Sequence, residues 1–311
     1  MLTARHVIFA STVALLSTGA AAAQSNADRI QVGGNNPVFP ESITSTSDGS
    51  VFTSSIGEGR VFKAAPHAKE AVAWSAKEAA GPQSVLGVFA DEKSGTLWAC
   101  YSDMALAKGN SGKPAILRAL DLSSGKVKQS YSMPAGSFCN DIATSADDTV
   151  YVTDTHGGRV MKLQKGADRI ATWLQDKQLV GVDGIAFGKD GSIYLTNVQS
   201  NDLFKVDVGA SGAPGKLMKL QLSQAVKGPD ALRSASDGRF FLAENKSGKV
   251  DELTLSGDKV EVKTLKSGYV GPTSMTSNGD NLYVVEAKIN DYGKAGKYSP
   301  FYVYSIPMPA Q

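Results

Sequence analysis

Four side chains that offer oxygen ligands occupy the same position in a pattern that recurs along the chain. Each lies 11 residues before an aromatic residue, and the four are Glu41, Asn140, Asp183 and Asp230. Carboxylate and amide oxygens, with no histidine or thiolate among them, favour calcium over zinc or copper and leave magnesium and manganese as alternatives. If the fold gathers these residues, they predict a divalent-metal site.

Three of the four side chains are carboxylates, which repel one another when they are gathered. At a separation of about 5 Å each pair repels by roughly 3 kcal/mol at an effective dielectric constant near 20. Such a cluster must take up protons, remain hydrated or bind a cation. The alternative is that each residue only caps a turn where a strand begins, because Asp and Asn are common there.

The four residues belong to a repeated unit that predicts antiparallel strands. Each is followed by an apolar segment, a turn and a second apolar segment with its aromatic residue; the turns are Ser47-Asp48-Gly49, Asp147-Asp148-Thr149, Lys189-Asp190-Gly191 and Asp237-Gly238. Turn residues of this kind between apolar runs indicate hairpins. Two looser copies run from Leu86 to Trp98 and from Thr273 to Tyr283, so the six aromatics recur at intervals of 42 to 53 residues.

A third strand follows each hairpin, and a fourth, outer strand, such as Leu217 to Leu222 in the copy of Asp183, follows in every copy except the last. Four-stranded units repeated at this interval predict an all-β fold, a six-bladed β-propeller spanning residues 24–311 as one domain. An elongated β-solenoid is the alternative. We predict that Arg29 to Val32 supplies the missing outer strand by pairing with Phe301 to Tyr304 and so closes the ring. The residues just before the first strand of each blade then converge on the central channel.

The first 23 residues have the features of a signal peptide. Arg5 and His6 precede the apolar run Val7 to Leu16, and Ala21-Ala22-Ala23 form an A-x-A cleavage site. A membrane anchor is the alternative, but the run is shorter than the ~20 apolar residues that a spanning helix needs. The sequence therefore predicts a periplasmic or secreted protein without a membrane span. Its net charge of +2 provides no general attraction for nucleic acid.

The chain contains two cysteines, Cys100 and Cys139. In an oxidising compartment a disulfide between them is allowed, and it would stabilise the fold by about 4 kcal/mol in the chain-entropy model. Two separately buried thiols are the alternative.

The blades Pro40-Glu41-Ser42-Ile43, Phe138-Cys139-Asn140-Asp141-Ile142 and Gly228-Pro229-Asp230-Ala231 resemble the senescence marker protein/gluconolactonase (regucalcin-like) family. That family is similar to the paraoxonases and diisopropylfluorophosphatase, which are six-bladed propellers. The resemblance covers nearly all of the mature chain. It implies a catalytic divalent cation, commonly calcium, held by Glu41, Asn140 and Asp230. Asp183 departs from the family pattern, because relatives often carry Asn there; the added negative charge is expected to tighten cation binding and weaken polarisation of the substrate.

The implied reaction is hydrolysis of a small-molecule lactone or ester, with the cation acting on the carbonyl oxygen. Asp230 is the candidate base or nucleophile, and the other three residues hold the metal. His156 lies in a loop expected on the same face, where it either shuttles a proton or is simply an exposed histidine. Two long connections, Ser102 to Pro114 and Ala287 to Pro300, are candidate lids or merely surface loops.

Two other functions compete with this hypothesis. One is a non-enzymatic exported propeller that binds its partner on one face and holds a structural cation, since a propeller supports many functions. The other is a phosphotriesterase with the same metal site. The chain lacks the Gly-x-Ser-x-Gly, P-loop, Cys-x-x-Cys and His-Glu-x-x-His motifs, which disfavours a serine hydrolase, a nucleotidase or a zinc protease.

Overall fold

The computed structural model describes residues 29–76, 83–104, 111–292, 294 and 300–309. These residues form 25 β-strands and two short 3₁₀-helices, Lys177–Leu179 and Ile289–Asp291. The predicted all-β class is therefore confirmed. None of the helices in this part of the chain is long and apolar enough to cross a membrane. The predicted signal peptide, residues 1–23, lies outside the described residues.

The strands form five sheets among the described residues. The eight-stranded sheet contains β1 Arg29–Val32, β2 Ile43–Ser45, β3 Val51–Ser54, β4 Val61–Ala64, β5 Glu70–Ala73, β23 Pro272–Asn278, β24 Asn281–Glu286 and β25 Phe301–Pro307. Two four-stranded sheets follow its first half: β6 Ser84–Asp91, β7 Thr96–Ser102, β8 Ile116–Asp121 and β9 Val127–Ser132, then β10 Cys139–Thr144, β11 Val150–Asp154, β12 Arg159–Leu163 and β13 Ala171–Gln175. The remaining two sheets are β14 Val182–Phe187, β15 Ile193–Asn197, β16 Asp202–Val208 and β17 Pro214–Lys219, then β18 Gln221–Leu222, β19 Pro229–Ser234, β20 Phe240–Glu244, β21 Lys249–Ser256 and β22 Lys259–Ser267.

Tight turns connect the first two strands of each repeat, as the sequence predicts. Gly191 adopts φ 75° between β14 and β15, a conformation that glycine reaches without a steric penalty. In the neighbouring repeat Asp148 takes the same region with φ 65°, and Asp tolerates it better than most residues. The turn chemistry therefore fixes the hairpins, and the hairpins fix the register.

The predicted pairing of the N-terminal strand is confirmed. β1 pairs antiparallel with β25, with Arg29 opposite Tyr304 and Val32 opposite Phe301. β1 also pairs parallel with β5, which the sequence did not predict, so it lies between the first and last groups of strands.

One predicted outer strand is wrong in extent. The segment from Leu217 to Leu222 was expected to be a single outer strand, but it is divided at Leu220. Its first part belongs to β17, while Gln221–Leu222 forms β18 and pairs parallel with β22 of the next sheet. The change of partner links two neighbouring sheets at their outer edge.

The repeated aromatic residues fill the space between the sheets. Phe52 and Tyr151 are almost completely buried. Each packs edge to face on a tryptophan, with ring centroids 4.9 Å apart for Phe52 and Trp74 and 5.1 Å apart for Tyr151 and Trp173. Burying such a side chain contributes about 1.5–3 kcal/mol. This packing explains why every repeat carries an aromatic residue at the same place.

Cys100 of β7 and Cys139 of β10 form a disulfide, with their Cα atoms 5.2 Å apart. Of the two alternatives, the bridge is therefore the correct one. It joins two neighbouring sheets at the residue before Asn140.

The first strands of successive groups contact one another in a cyclic order: β2 with β6, β6 with β10, β10 with β14, β14 with β19, β19 with β23, and β23 with β2. This arrangement gathers the beginnings of strands that are far apart in sequence.

Candidate functional site

The structure brings together the four side chains that the sequence singled out. Three of them lie inside the first strands of their repeats, not just before them as expected, and only Glu41 precedes its strand. Asn140, Asp183 and Asp230 each lie at a break in strand pairing, since the registers shift between 139 and 142, between 182 and 185, and between 229 and 232. A β-bulge redirects the side chain it contains. The bulges therefore turn these polar groups out of the regular ladder.

Hydroxyl groups from neighbouring strands fix the backbone of the site residues. Thr153 Oγ1 donates to the Asp183 carbonyl oxygen at 2.6 Å, and Thr196 Oγ1 donates to the Asp230 carbonyl oxygen at 2.5 Å. Thr273 Oγ1 donates in the same way to the Glu41 carbonyl oxygen at 2.5 Å. Each bond crosses from one group of strands to the next. The sequence analysis missed these threonines, although two of them follow the repeat's aromatic residue by two positions.

Close backbone packing at the site requires glycine at position 184. A Cβ atom added to Gly184 would lie 2.5 Å from both the Asp230 carbonyl oxygen and the Leu232 nitrogen. Backbone atoms cannot yield as a flexible side chain does. Gly184 therefore allows Asp183 and Asp230 to approach each other.

The three carboxylates influence one another strongly. Burial, followed by the negative charge of Asp183, raises the pKa of Glu41 well above its usual value. Burial and then the charges of Asp183 and Glu41 raise the pKa of Asp230 in the same way. Burial raises the pKa of Asp183 to about 7, although side-chain contacts with Asn140 and Asp230 oppose the shift. The protein therefore holds these groups together against their mutual repulsion.

Neighbouring polar side chains orient two of the four residues. Asn245 Nδ2 donates to Asp230 Oδ2 at 2.6 Å, and Asn140 Nδ2 donates to Thr155 Oγ1 at 3.0 Å. In contrast, the buried Oε2 atom of Glu41 accepts no hydrogen bond from the described residues. A buried carboxylate oxygen without a partner costs free energy unless a proton or a cation satisfies it.

The described residues contain no preassembled group of three histidine, cysteine, aspartate or glutamate side chains that could hold a metal ion. The carboxylates alone therefore do not complete a coordination site. Asn140 is the further oxygen donor that lies among them.

An arginine lies close to these four residues. Arg233 donates from Nη1 to Asp141 Oδ2 at 2.6 Å and from Nη2 to Asp141 Oδ1 at 2.9 Å. Its Nη2 also lies 3.2 Å from Ser274 Oγ and 3.4 Å from Ser42 Oγ. The Asp141 side chain is only 5% exposed and also accepts from the Ile185 amide at 3.1 Å. One guanidinium thus connects three sheets close to the carboxylates and offsets part of their negative charge.

Sequence reasoning missed both members of this pair. Asp141 directly follows Asn140, and Arg233 follows Asp230 by three positions. The only signal in the sequence is a charged residue at a place where a strand interior is expected to be apolar.

Comparison with known proteins identifies the family. Residues 39–288 match the family model described as the SMP-30/gluconolactonase/LRE-like region. The chain belongs to the SMP-30/gluconolactonase family. No curated protein sequence is significantly similar to it.

Three solved structures illustrate what the likeness establishes. A gluconolactonase from Xanthomonas campestris has 13% identity and a TM-score of 0.63, and the match covers 88% of each chain. Regucalcin from Agrobacterium tumefaciens, a calcium-binding protein, has 17% identity and a TM-score of 0.61, with 91% of this chain and 95% of that chain covered. Virginiamycin B lyase from Staphylococcus aureus has 12% identity and a TM-score of 0.58, with 91% and 88% covered. At these identities the likenesses show a β-propeller fold, which supports different chemistries.

In this family member His156 is exposed, next to the loop that orients Asn140. Its ring packs against Phe138, with centroids 4.7 Å apart, and it immediately follows Thr155. Its role as a proton shuttle stays a prediction. Parts of both candidate lids, residues 105–110, 293 and 295–299, lie outside the described residues.

The raised pKa values predict an unusual pH dependence of stability. Burial raises the pKa of both Asp183 and Asp251 from an ordinary 3.8 to about 7, and for Asp251 the neighbouring Glu244 carboxyl group adds to the effect. The folded protein therefore keeps protons that the unfolded chain has released, and the free energy of unfolding falls as the pH rises through this window. Each such proton contributes a slope of up to about 1.4 kcal/mol per pH unit. Denaturant unfolding in the presence of a chelator, at several pH values between about pH 5 and pH 8, measures this change in the free energy of unfolding.

The variant Asp251→Asn provides the matched control for this experiment. Asp251 lies in β21, outside the carboxylate site, so its contribution to the change in unfolding free energy with pH does not depend on metal. The variant removes that contribution. Calcium is expected to flatten the rest by replacing protons at the site. A stability that increases with pH in chelator would contradict the prediction.

Proposed function

We propose that this protein is an exported, divalent-metal-dependent hydrolase of a lactone or ester. The observation that carries the proposal is the convergence of Glu41, Asn140, Asp183 and Asp230, with a buried Glu41 Oε2 that has no partner among the described residues. Membership of the SMP-30/gluconolactonase family supports the lactonase reaction.

The proposed architecture is a six-bladed ring closed by β1. Its support is the cyclic contact order of the six first strands, together with the pairing of β1 with β25. The central channel is then the place where the beginnings of these strands meet.

The donor set fits a hard divalent cation. Three carboxylates and one amide supply only oxygen, and the preference of calcium for such ligands makes it the first candidate. Glu41, Asn140, Asp183 and Asp230 would hold it. When bound, the cation supplies Lewis-acid polarisation of a carbonyl oxygen.

Asp230 is the proposed base. Asn245 donates to its Oδ2 atom at 2.6 Å, which orients the carboxylate that would accept a proton from water. Burial and the charges of Asp183 and Glu41 raise its pKa above that of an ordinary aspartate, as is typical of a catalytic base. Arg233 connects the first strands through Asp141 and offsets part of the negative charge of the carboxylates. His156, which is exposed beside the Thr155 loop, is the proposed route for the proton to solvent.

Export is part of the proposal. It rests on the signal-peptide features of residues 1–23, and the Cys100–Cys139 disulfide supports it because such bridges persist in oxidising compartments.

The test is a turnover assay on a panel of lactones and aryl esters, with calcium and with chelator. Turnover is expected with calcium and is expected to disappear when the metal is removed. A phosphotriester in the same panel tests the phosphotriesterase alternative, which predicts that this compound is hydrolysed. If calcium raises the melting temperature but no compound is hydrolysed, the protein is a binding module with a structural cation and the proposed reaction is wrong.

A further inference from the structure

A cavity adjoins the carboxylate site. It has a volume of about 390 Å³, and Asn245 and Thr273 form part of its wall. Asn245 donates to the Asp230 carboxylate, and Thr273 donates to the Glu41 carbonyl oxygen. A group held in this cavity is therefore one side chain away from the two residues at the centre of the proposed chemistry.

Two lysines give the cavity a positive wall. Lys246 and Lys288 both line it. Lys246 Nζ lies 3.2 Å from the Val198 carbonyl oxygen, and Lys288 Nζ lies 3.4 Å from the Pro300 carbonyl oxygen. Within the described part of the chain, neither ammonium group forms an ion pair with a carboxylate.

The two acidic side chains nearest Lys288 in sequence do not form ion pairs with either lysine. Asp291 also lines the cavity, but it pairs with Lys294 at 3.0 Å. Glu286 is 4% exposed, and its Oε1 accepts a hydrogen bond from the Val270 amide at 2.7 Å. Lys288 exerts a favourable electrostatic effect on Glu286 without contacting it as an ion pair. Both ammonium groups therefore keep hydrogen-bond donors for a ligand.

The backbone at Lys288 is strained. It adopts φ 50° and ψ 35°, the left-handed region that is unfavourable for an L-residue and that glycine or asparagine adopts more easily. Strained residues persist where the surroundings hold them, and they are concentrated at binding sites. Here the strain holds a lysine beside the cavity, with its ammonium group 5.8 Å from the centroid of the Phe301 ring.

We propose that this cavity binds an anionic group of the substrate, so that the preferred substrate is a lactone or ester bearing a carboxylate or a phosphate. This inference rests on the proposed function. Lys246 and Lys288 are its specificity-determining residues, and charge-assisted hydrogen bonds from their ammonium groups hold the anion.

The test compares γ-butyrolactone with the same ring carrying a carboxylate. The calcium-loaded protein is expected to show a KM at least about tenfold lower for the carboxylated lactone, since charge-assisted hydrogen bonds contribute that much or more. The double variant K246Q/K288N is expected to lose this difference, because its KM for the carboxylated lactone rises at least about tenfold, to that of the neutral lactone. Asparagine is chosen at position 288 because it tolerates the left-handed backbone.

The control is K189Q, which removes the same charge from an exposed turn that does not line the cavity. It is expected to leave both KM values unchanged. Equal KM values for the two lactones in the unmodified protein, or a preference that survives in K246Q/K288N, would overturn the proposal.

A binding measurement tests the cavity independently of the proposed hydrolytic function. Calorimetry with the ring-opened hydroxy dicarboxylate, and separately with inorganic phosphate, measures anion binding in the cavity even if neither lactone is hydrolysed. Binding that K246Q/K288N weakens at least about tenfold supports the cavity, and tighter binding of one probe identifies the anion. No binding of either probe overturns it, whatever the turnover assay shows.

Discussion

Replacing Asp230 with asparagine is expected to lower turnover of a lactone or ester by at least about 100-fold at saturating calcium. Asparagine has the size of aspartate and can still accept the hydrogen bond from Asn245, but it cannot accept a proton. Calcium affinity is also expected to fall, because one negative charge leaves the site. Kinetics at saturating calcium, combined with calorimetric measurement of calcium binding, separates the two effects.

The matched control is Asp168→Asn. Asp168 has an 86% exposed side chain, and its partner in the described residues is Arg169 at 3.7 Å. This variant is expected to retain the turnover and calcium affinity of the unmodified protein. If Asp230→Asn keeps turnover within about threefold at saturating calcium, Asp230 holds the metal but is not the base.

Replacing Arg233 with methionine is expected to destabilise the protein by about 3–5 kcal/mol. The substitution leaves the buried Asp141 carboxylate without the two charge-assisted hydrogen bonds at 2.6 and 2.9 Å. It also removes the positive charge that lowers the pKa of Glu41 and of Asp183. Calcium is therefore expected to bind the variant more tightly and to restore part of the lost stability. Denaturant unfolding with calcium and with chelator measures both effects.

Two variants test whether the loss of stability comes from leaving the buried Asp141 carboxylate without its partner. Arg239→Met removes an arginine that pairs with Asp237 and Glu252 near the surface, where its side chain is 21% exposed. That loss is expected to stay within about 1 kcal/mol. The double variant R233M/D141N is expected to recover much of the stability lost in R233M, because the buried charge is gone while an acceptor remains for the Ile185 amide. A loss in R233M no larger than in Arg239→Met would show that the ion pair is not structurally important.

Much of the fold could be predicted from the sequence. Turn residues between apolar runs predicted the hairpins, the aromatic residues set the repeat, and β1 pairs with β25 as predicted. These features are local or periodic, and the physics of turns and of alternating burial acts within about ten residues. The same periodicity pointed to Glu41, Asn140, Asp183 and Asp230, because equivalent positions in a repeat meet at equivalent places in the fold.

Only the tertiary structure revealed the contacts of residues that depart from the repeat and the properties that depend on burial. Arg233 and Asp141 are 92 positions apart, and each departs from the repeat, so only their juxtaposition reveals the ion pair close to the site. The bulges that aim Asn140, Asp183 and Asp230, and the raised pKa values of the carboxylates, depend on burial and on distances between strands far apart in the chain. Sequence periodicity specifies which residues are equivalent. Desolvation and charge interactions depend on separation in space, and these arise only when the first strands are packed against one another.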